Sequence, residues 1–302
     1  MGGKAEMSKS SDVIALDTVA EFLTEIFPPA LAEEWDNTGL LIGERTRPIK
    51  GVVTALTVTP QVVGEAARRG ADLIVSHHPF PFRAAKRWTS ETADGALLLA
   101  LVGKGLALYS PHTSFDSALW GINRQIAARL ELTDVVPMRP LPVFSSDAML
   151  CGLEPDVVDL LKPEVSAPLG SGRIGTLPKP LPLSQLIEKV RRTFSVQTLC
   201  YVGRGDKEIS RVAIACGAAD DFIEDAIRLK ADAIVLGEIR YHHALEAEQA
   251  NLAVLAPGHF ATEHFATVAL ADRLARRFPQ LNIMASQEER DPFRFDGRRS
   301  FP

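Results

Sequence analysis

The sequence predicts an α/β protein built as two related α/β lobes from an internal duplication, with a metal cleft between them. Three observations carry that expectation. Residues 52–75 match residues 212–235 without a gap, at a constant offset of 160. Short apolar runs of strand length alternate with longer stretches that read as helices. Histidines gather just past the ends of those runs, and two of them are followed four positions later by a carboxylate.

Taken along the chain, the first element is a helix opened by a capping box, Thr18 with Glu21, and stopped near Phe27 by Pro28 and Pro29. The stretch Trp35-Asp36-Asn37-Thr38-Gly39 reads as a turn, with Asp36 or Asn37 also a candidate to orient a ligand histidine or to touch a substrate. The first copy of the repeat follows: a strand at Val52–Leu56, a helix rich in alanine and charge, and a second strand at Asp72–Ser76. The second copy repeats that order with Val212–Cys216 and Asp232–Leu236. The identities are Val52/Val212, Ala55/Ala215, Ala66/Ala226, Arg68/Arg228, Ala71/Ala231, Asp72/Asp232, Ile74/Ile234 and Val75/Val235. Strand, crossover helix and strand imply parallel pairing. A third strand follows in each copy, Leu106–Tyr109 and Leu252–Leu255.

Between the copies, from about Val136 to Ser210, proline and glycine become frequent, with Pro137, Pro142, Pro163, Pro168 and Pro178 among them. We therefore set an N-terminal lobe at 1–135 and a C-terminal lobe at 136–302. A helix over Gln185–Phe194, with Ser184 as its N-cap, is the clearest element of the intervening stretch. Gly170-Ser171-Gly172-Arg173-Ile174-Gly175 has the letters of a dinucleotide fingerprint, but Leu177-Pro178-Lys179-Pro180 follows where a helix must start. It reads as a tight turn.

The chain has 302 residues, 46% of them hydrophobic, enough for a large core. A net charge of −5 disfavours a broad nucleic-acid footprint. Cys151, Cys200 and Cys216 form no close pair, which fits a reduced, cytoplasmic protein with cysteines in its core. The polar start lacks a secretory apolar stretch, and Gly95–Tyr109, broken by Lys104, is too short to span a bilayer, so no membrane association is expected.

The chemistry lies in the histidines. His77 and His78 close the strand ending at Ser76, and Pro79-Phe80-Pro81 supplies the turn that lets both face one point. His112 with Asp116, and His259 with Glu263, are i, i+4 pairs able to reach one centre from a single helical turn. All six residues lie just beyond strand ends, where α/β sheets gather their ligands. Imidazoles and carboxylates without thiolates suit zinc, iron, manganese, cobalt or nickel. Five or six ligands exceed what one catalytic ion keeps, so two divalent metal ions are expected, with Glu263 the candidate bridge. His242, beyond the second-copy strand end, is a candidate proton donor, and His264 is expected to pack away from the ions.

The stretches EEWDNTGLLIG (33–43), GADLIVSHHPFPF (70–82), YSPHTSFDSALWGIN (109–123), GSGRIGTL (170–177), ADAIVLGEIRYHHAL (231–245) and APGHFATE (256–263) resemble the NIF-three-like dinuclear metal-centre family, also known as GTP cyclohydrolase 1 type 2 homologues. The resemblance implies two lobes around a metal cleft and a ring-shaped homohexamer. Matched motif by motif, it puts the metal ligands on His77, His78, Asp116, His259 and Glu263, with His112 at the rim. The chain departs at Thr57, where many members carry aspartate. The first hypothesis is a metal-dependent hydrolase of a nucleotide or related small molecule, with His112 or His242, on our reading of the residues, relaying protons. The alternative is a non-catalytic metal-binding scaffold or metal-delivery protein.

Overall fold

The two matched segments, 52–75 and 212–235, each fold as strand, helix and strand, and they do so in the same register. The computed structural model describes residues 13–141 and 169–295. The polar N-terminal segment, Cys151, Pro142, Pro163, Pro168 and the end of the tail lie outside the described residues.

In chain order, β1 (Ile14–Ala15) leads into α1 (Leu16–Ile26), followed by β2 (Gly39–Ile42), β3 (Pro48–Ile49) and β4 (Gly51–Ala55). Next come α2 (Pro60–Arg68), β5 (Leu73–Ser76), α3 (Ala93–Gly103), β6 (Ala107–Ser110), α4 (His112–Ser117) and α5 (Ile122–Arg129). β7 (Thr133–Val136), β8 (Arg139–Pro140), β9 (Gly170–Ser171) and β10 (Arg173–Pro182) precede α6 (Leu183–Phe194). The remaining elements are β11 (Cys200–Val202), β12 (Glu208–Ala215), α7 (Ile223–Arg228), β13 (Ala233–Leu236), α8 (Tyr241–Gln249), β14 (Ala253–Ala256), α9 (His259–Arg277) and β15 (Asn282–Ala285).

Of the two large sheets, one has the order β15-β4-β5-β6-β2 and the other β11-β14-β13-β12-β10-β7, while β1-β3 and β8-β9 form two-stranded sheets. At the heart of each is a parallel trio, β4-β5-β6 and β12-β13-β14. Val52 pairs with Leu73 in the first, and Val212 with Ala233 in the second, the same offset on both strands. A side-chain bond repeats as well. Asp72 accepts from the Lys50 amide at 2.7 Å, and Asp232 from the Ser210 amide at 2.9 Å. The recurring Ala-Asp pair thus ties the start of each second strand to its first, at Lys50 just before β4 and at Ser210 within β12.

Burial explains the nearly continuous apolar runs. Leu73 and Val75 face a shared central core, which also takes Val212, Val235 and Leu255 from the other sheet and one face of α1, α5, α6 and α9. Ile74 and Leu108 point the other way, into a cluster under α2 and α3. Ile234 and Val254 do the same under α7 and α8. A strand covered on both faces has no solvent side on which to alternate polar residues.

The sheets do not divide at one point of the chain. β15, from the far C-terminal end, pairs in parallel with β4. α9 starts beyond β14 of the second sheet and crosses to the first, where the Thr267 carbonyl accepts from Thr54 Oγ1 at 2.8 Å. A single helix therefore links the carboxyl ends of both trios. Among the described residues no helix is long and apolar enough to cross a membrane.

Two helix starts differ from expectation for one reason. α1 begins at Leu16, so Thr18 lies inside it and no side chain caps it. Its first amides donate instead to the carbonyls of Arg47 and Arg45, at 2.8 and 2.9 Å. α6 begins at Leu183 rather than after Ser184, with Leu183 and Ser184 donating to Lys207 and Gly205. Backbone carbonyls from distant loops satisfy the first-turn amides that a capping side chain otherwise serves.

Candidate metal centre

Parallel strands deliver the site. His77 and His78 follow β5, His112 follows β6, and His259 follows β14, all at carboxyl ends. The His77 and His78 amides donate to Ala55 and Leu56, extending the β4–β5 ladder past the strand before the chain turns at Pro79. Both rings reach one place, their centroids 5.1 Å apart. His112 sits in the left-handed region, φ 32°, at the start of α4. His259 and Glu263 share the first turn of α9.

The donor atoms converge. Glu263 Oε2 lies 2.9 Å from His259 Nε2, 3.1 Å from His78 Nε2 and 3.8 Å from His77 Nε2. Asp116 Oδ1 is 3.7 Å from His77 Nε2. The Nε2 atoms of His78 and His259 stand only 3.2 Å apart. Two groups of three could each hold an ion, His77 with His78 and His112, and His78 with His259 and Glu263, so that His78 is common to both. The set fits a cation: the Nε2 atoms of His77, His78 and His259 and the buried carboxylate of Glu263 aim at the same space. Gly217 (φ 68°) completes the cradle, since a Cβ there would overlap Glu263 Oε1.

The charge states follow from burial and crowding. Burial drives His77 well below its ordinary value, leaving it neutral. Burial first, then the neighbouring Glu263, pushes Asp116 up to about 7. Burial works to raise Glu263 too, but His77, His259 and His78 outweigh it and hold the carboxyl well below its usual range. For His259, burial is overcome by Glu263 and Glu238, and the ring rises to about 9. Protons thus gather on Asp116 and His259, where a cation would otherwise balance the acids.

Around the donors stands a shell of orienting groups. Glu238 faces His259 Nδ1 at 3.2 Å, and Thr57 Oγ1 faces His78 Nδ1 at 2.8 Å. Asp36 faces His112 Nδ1 at 2.7 Å and also accepts from the amide and hydroxyl of Thr113. Of the two roles open to Asp36, orientation of a histidine is the one the geometry supports. Glu238 sits at the repeat equivalent of His78, a signal available in the offset but not used.

Cys216 and Arg173 were not singled out by sequence reasoning as site residues. The Cys216 thiol donates to Asp116 at 3.1 Å, and burial, followed by Asp116 and Glu263, pushes it well above its ordinary value. It is a protonated donor, not only a core residue. Arg173, from the glycine-rich stretch, is buried and donates to the carbonyls of Gly170, Gly172, Ser117 and Ala118. That stretch, expected to be a tight turn, runs instead as β9 and the start of β10 with a bend at Gly172 (φ 62°) between them, because both strands pair in sheets, and its arginine pins the end of the helix carrying Asp116.

His242 is not brought to the cluster. It stands exposed on the first turn of α8 with its ring 5.6 Å from Tyr241, because that helix packs on the outer side of the second sheet. The expected relay role finds no contact to support it among the described residues. His243 lies 3.0 Å from Asp220, and His264 stacks on Phe260 with centroids 4.4 Å apart.

Comparison with known proteins follows this geometry. A family model described as Duf34/NIF3 (NGG1p interacting factor 3) matches residues 14–292. A GTP cyclohydrolase 1 type 2 homolog from Clostridium perfringens is 30% identical over 281 residues, covering 93% of this chain and 99% of that protein. A protein of the same name from Clostridium acetobutylicum is 28% identical over 281 residues, covering 92% of this chain and 97% of its own length. Among solved structures, a Bacillus cereus protein related to NIF3 superposes with a TM-score of 0.81 at 24% identity, covering 94% and 99% of the two chains. That last likeness bears on the fold.

Proposed function

The chain belongs to the Duf34/NIF3 (NGG1p interacting factor 3) family, and from that premise we propose that it is a dinuclear, metal-dependent hydrolase of a nucleotide or related small molecule. The observation that carries this reading is the pair of donor groups sharing His78. His77, His78, Asp116, His259 and Glu263 would hold the two divalent ions, with His112 at the rim; Asp116 Oδ1 lies 3.7 Å from His77 Nε2. Zinc, iron, manganese, cobalt and nickel all suit these donors. A bound pair of ions supplies Lewis acidity and acidifies water toward neutral pH.

The chain's own residues do the rest. Asp36 fixes which nitrogen of His112 carries the proton, leaving Nε2 toward the cluster to accept or return one. Cys216 donates to Asp116 and holds its carboxylate in place. Glu238 and Thr57 set the ring planes of His259 and His78. The names of the clostridial relatives make GTP the first substrate to try.

In this reading the two trios are copies of one duplicated unit, divided near residue 135, and the protein works in the cytoplasm as a homohexamer. Leu99 and Val102, 48% and 55% exposed on α3, offer apolar surface for contacts between copies. The test is elemental analysis of the purified protein, followed by a nucleotide and phosphoester panel, on wild type and the His78→Ala and Glu263→Ala variants. We expect turnover in wild type, lost with the metal in both variants. Full activity in both refutes the reading. Stable metal with no turnover in wild type favours the scaffold or metal-delivery alternative.

A further inference from the structure

The metal cluster opens on a cavity of about 520 Å³ whose rim is aromatic on one side and acidic elsewhere. Trp35 and Phe82 stand there, 63% and 55% exposed. With His112 they form an edge-to-face triangle, centroids 5.9 Å apart for Trp35–His112, 6.1 Å for Trp35–Phe82 and 6.2 Å for Phe82–His112. The innermost ring of that triangle belongs to the metal centre.

The backbone beneath these rings is fastened. Asp36 is tied to Thr113 and His112, and the Glu33 amide donates to Thr113 Oγ1 at 3.0 Å. Asn37 Nδ2 donates to the Pro81 carbonyl at 3.1 Å, joining the Trp35 and Phe82 loops. A large aromatic left in solvent on a fastened loop presents a ready face, with little conformational freedom to lose on contact.

The lining also says what does not fit. Glu33 and Asp221 face the cavity beside the metal donors Asp116 and Glu263, and among the described residues Arg139 is its one arginine or lysine. That guanidinium is committed, bonded to Asp225 at 2.6 Å and Asp221 at 2.8 Å while it covers the Phe222 ring at 3.8 Å. On this rim, away from the residues that would hold the ions, Glu33 and Asp221 stand with no free lysine or arginine among the described residues, so a phosphate chain would find its cations at the metal centre and not here.

We propose that Trp35 and Phe82 form a subsite for a flat heteroaromatic ring without negative charge, of nucleobase type. The ring stacks on the indole with the Phe82 edge beside it, and any phosphate on the same molecule points away from this rim. The proposal names the substrate class of the site above and rests on that reading for what then happens to the ring, though not for its binding. Loss of a stacking aromatic weakens binding by about tenfold or more.

The test uses the metal-loaded full chain and titration calorimetry, with guanosine and cytidine as ring probes and ribose 5-phosphate as the ringless one. We expect a nucleoside to bind saturably, Trp35→Ala to weaken it by about tenfold or more, and Trp35→Phe to stay within about threefold. Metal content should be unchanged in both variants, and ribose 5-phosphate should be indifferent to them. Equal nucleoside affinity in Trp35→Ala, or no nucleoside binding to wild type at millimolar concentration, overturns the proposal. So does a change in native mass of Trp35→Ala with nucleoside affinity kept, which would assign the rings to a contact between copies. An absence of turnover in wild type sinks the hydrolase reading alone, since ring binding is measured without it.

Discussion

The carboxylate of Asp36 lies 2.7 Å from Nδ1 of His112, across 76 residues of sequence, with no solvent exposure of its side chain. Burial alone would raise that carboxyl. His112 and Thr113 prevail, and it sits at about 2. It therefore stays ionised and, by taking Nδ1, leaves Nε2 of His112 for the donor cluster. Asp36→Asn keeps the shape but removes the charge, so metal affinity or activity should fall about 10–100-fold. Competition titration with a chelator checks this, and an unchanged affinity contradicts it.

Gly217 should tolerate no side chain. Its φ of 68° is strained for other residues, and a Cβ would strike Glu263 Oε1. Gly217→Ala should lose metal before it loses its fold, with metal content falling by about half or more while the protein stays folded, as one outer-shell change commonly weakens a site about 10–100-fold. Wild-type metal content in this variant would show that Glu263 is not held as described.

Thr57 acts on His78 through one hydroxyl. Thr57→Val preserves volume and removes the 2.8 Å contact with Nδ1. Metal affinity should drop by about tenfold, with thermal stability of the metal-free protein nearly unchanged. A large loss of metal-free stability instead would give Thr57 a structural part.

Away from the donor cluster, Glu65 fastens the C-terminal segment, accepting from Ser286 Oγ at 2.6 Å and from the amides of Gln287 and Glu288. Burial pushes its carboxyl up, but these donors and Arg69 outweigh it and hold it below 4.5. A carboxyl depressed in the folded state stabilises above its unfolded value, and that contribution fades as pH falls through the folded one. Glu65→Gln should thus cost about 1–3 kcal/mol at neutral pH, with the difference from wild type shrinking below pH 4.5. Urea unfolding at several pH values reads this directly.

Arg173→Met takes the guanidinium from four carbonyls, two of them at the end of α4, where Ala118 keeps the Gly121 amide as a donor. Removing a buried guanidinium that has no carboxylate among these partners offsets part of that loss. The net destabilisation should be about 2 kcal/mol, measured by the denaturation midpoint, and weaker metal retention should accompany it through Asp116.

How much could be read without a structure varied with the range of the interaction. The repeated strand-helix-strand unit was legible because both its periodicity and its offset are written along the chain. The pairs His112–Asp116 and His259–Glu263 were legible because four residues make one helical turn. The starts of α1 and α6 were not, because carbonyls of Arg47 and Lys207 do the capping and no local pattern reveals them. His242 misled for a related reason: it follows the strand end equivalent to His77, but α8 carries it to the outer side of the sheet.

By itself, then, the sequence determined the parallel strands, the residues that end them and the donor types placed there, since these depend on neighbours a few positions apart. Tertiary structure alone decided which nitrogen of each ring faces inward, because Asp36, Thr57 and Glu238 reach His112, His78 and His259 from other elements. It also decided that Cys216 and Arg173 serve the site, and that α9 joins both sheets. Hydrogen bonds across such separations form only once the chain has closed, so their partners leave no spacing to read.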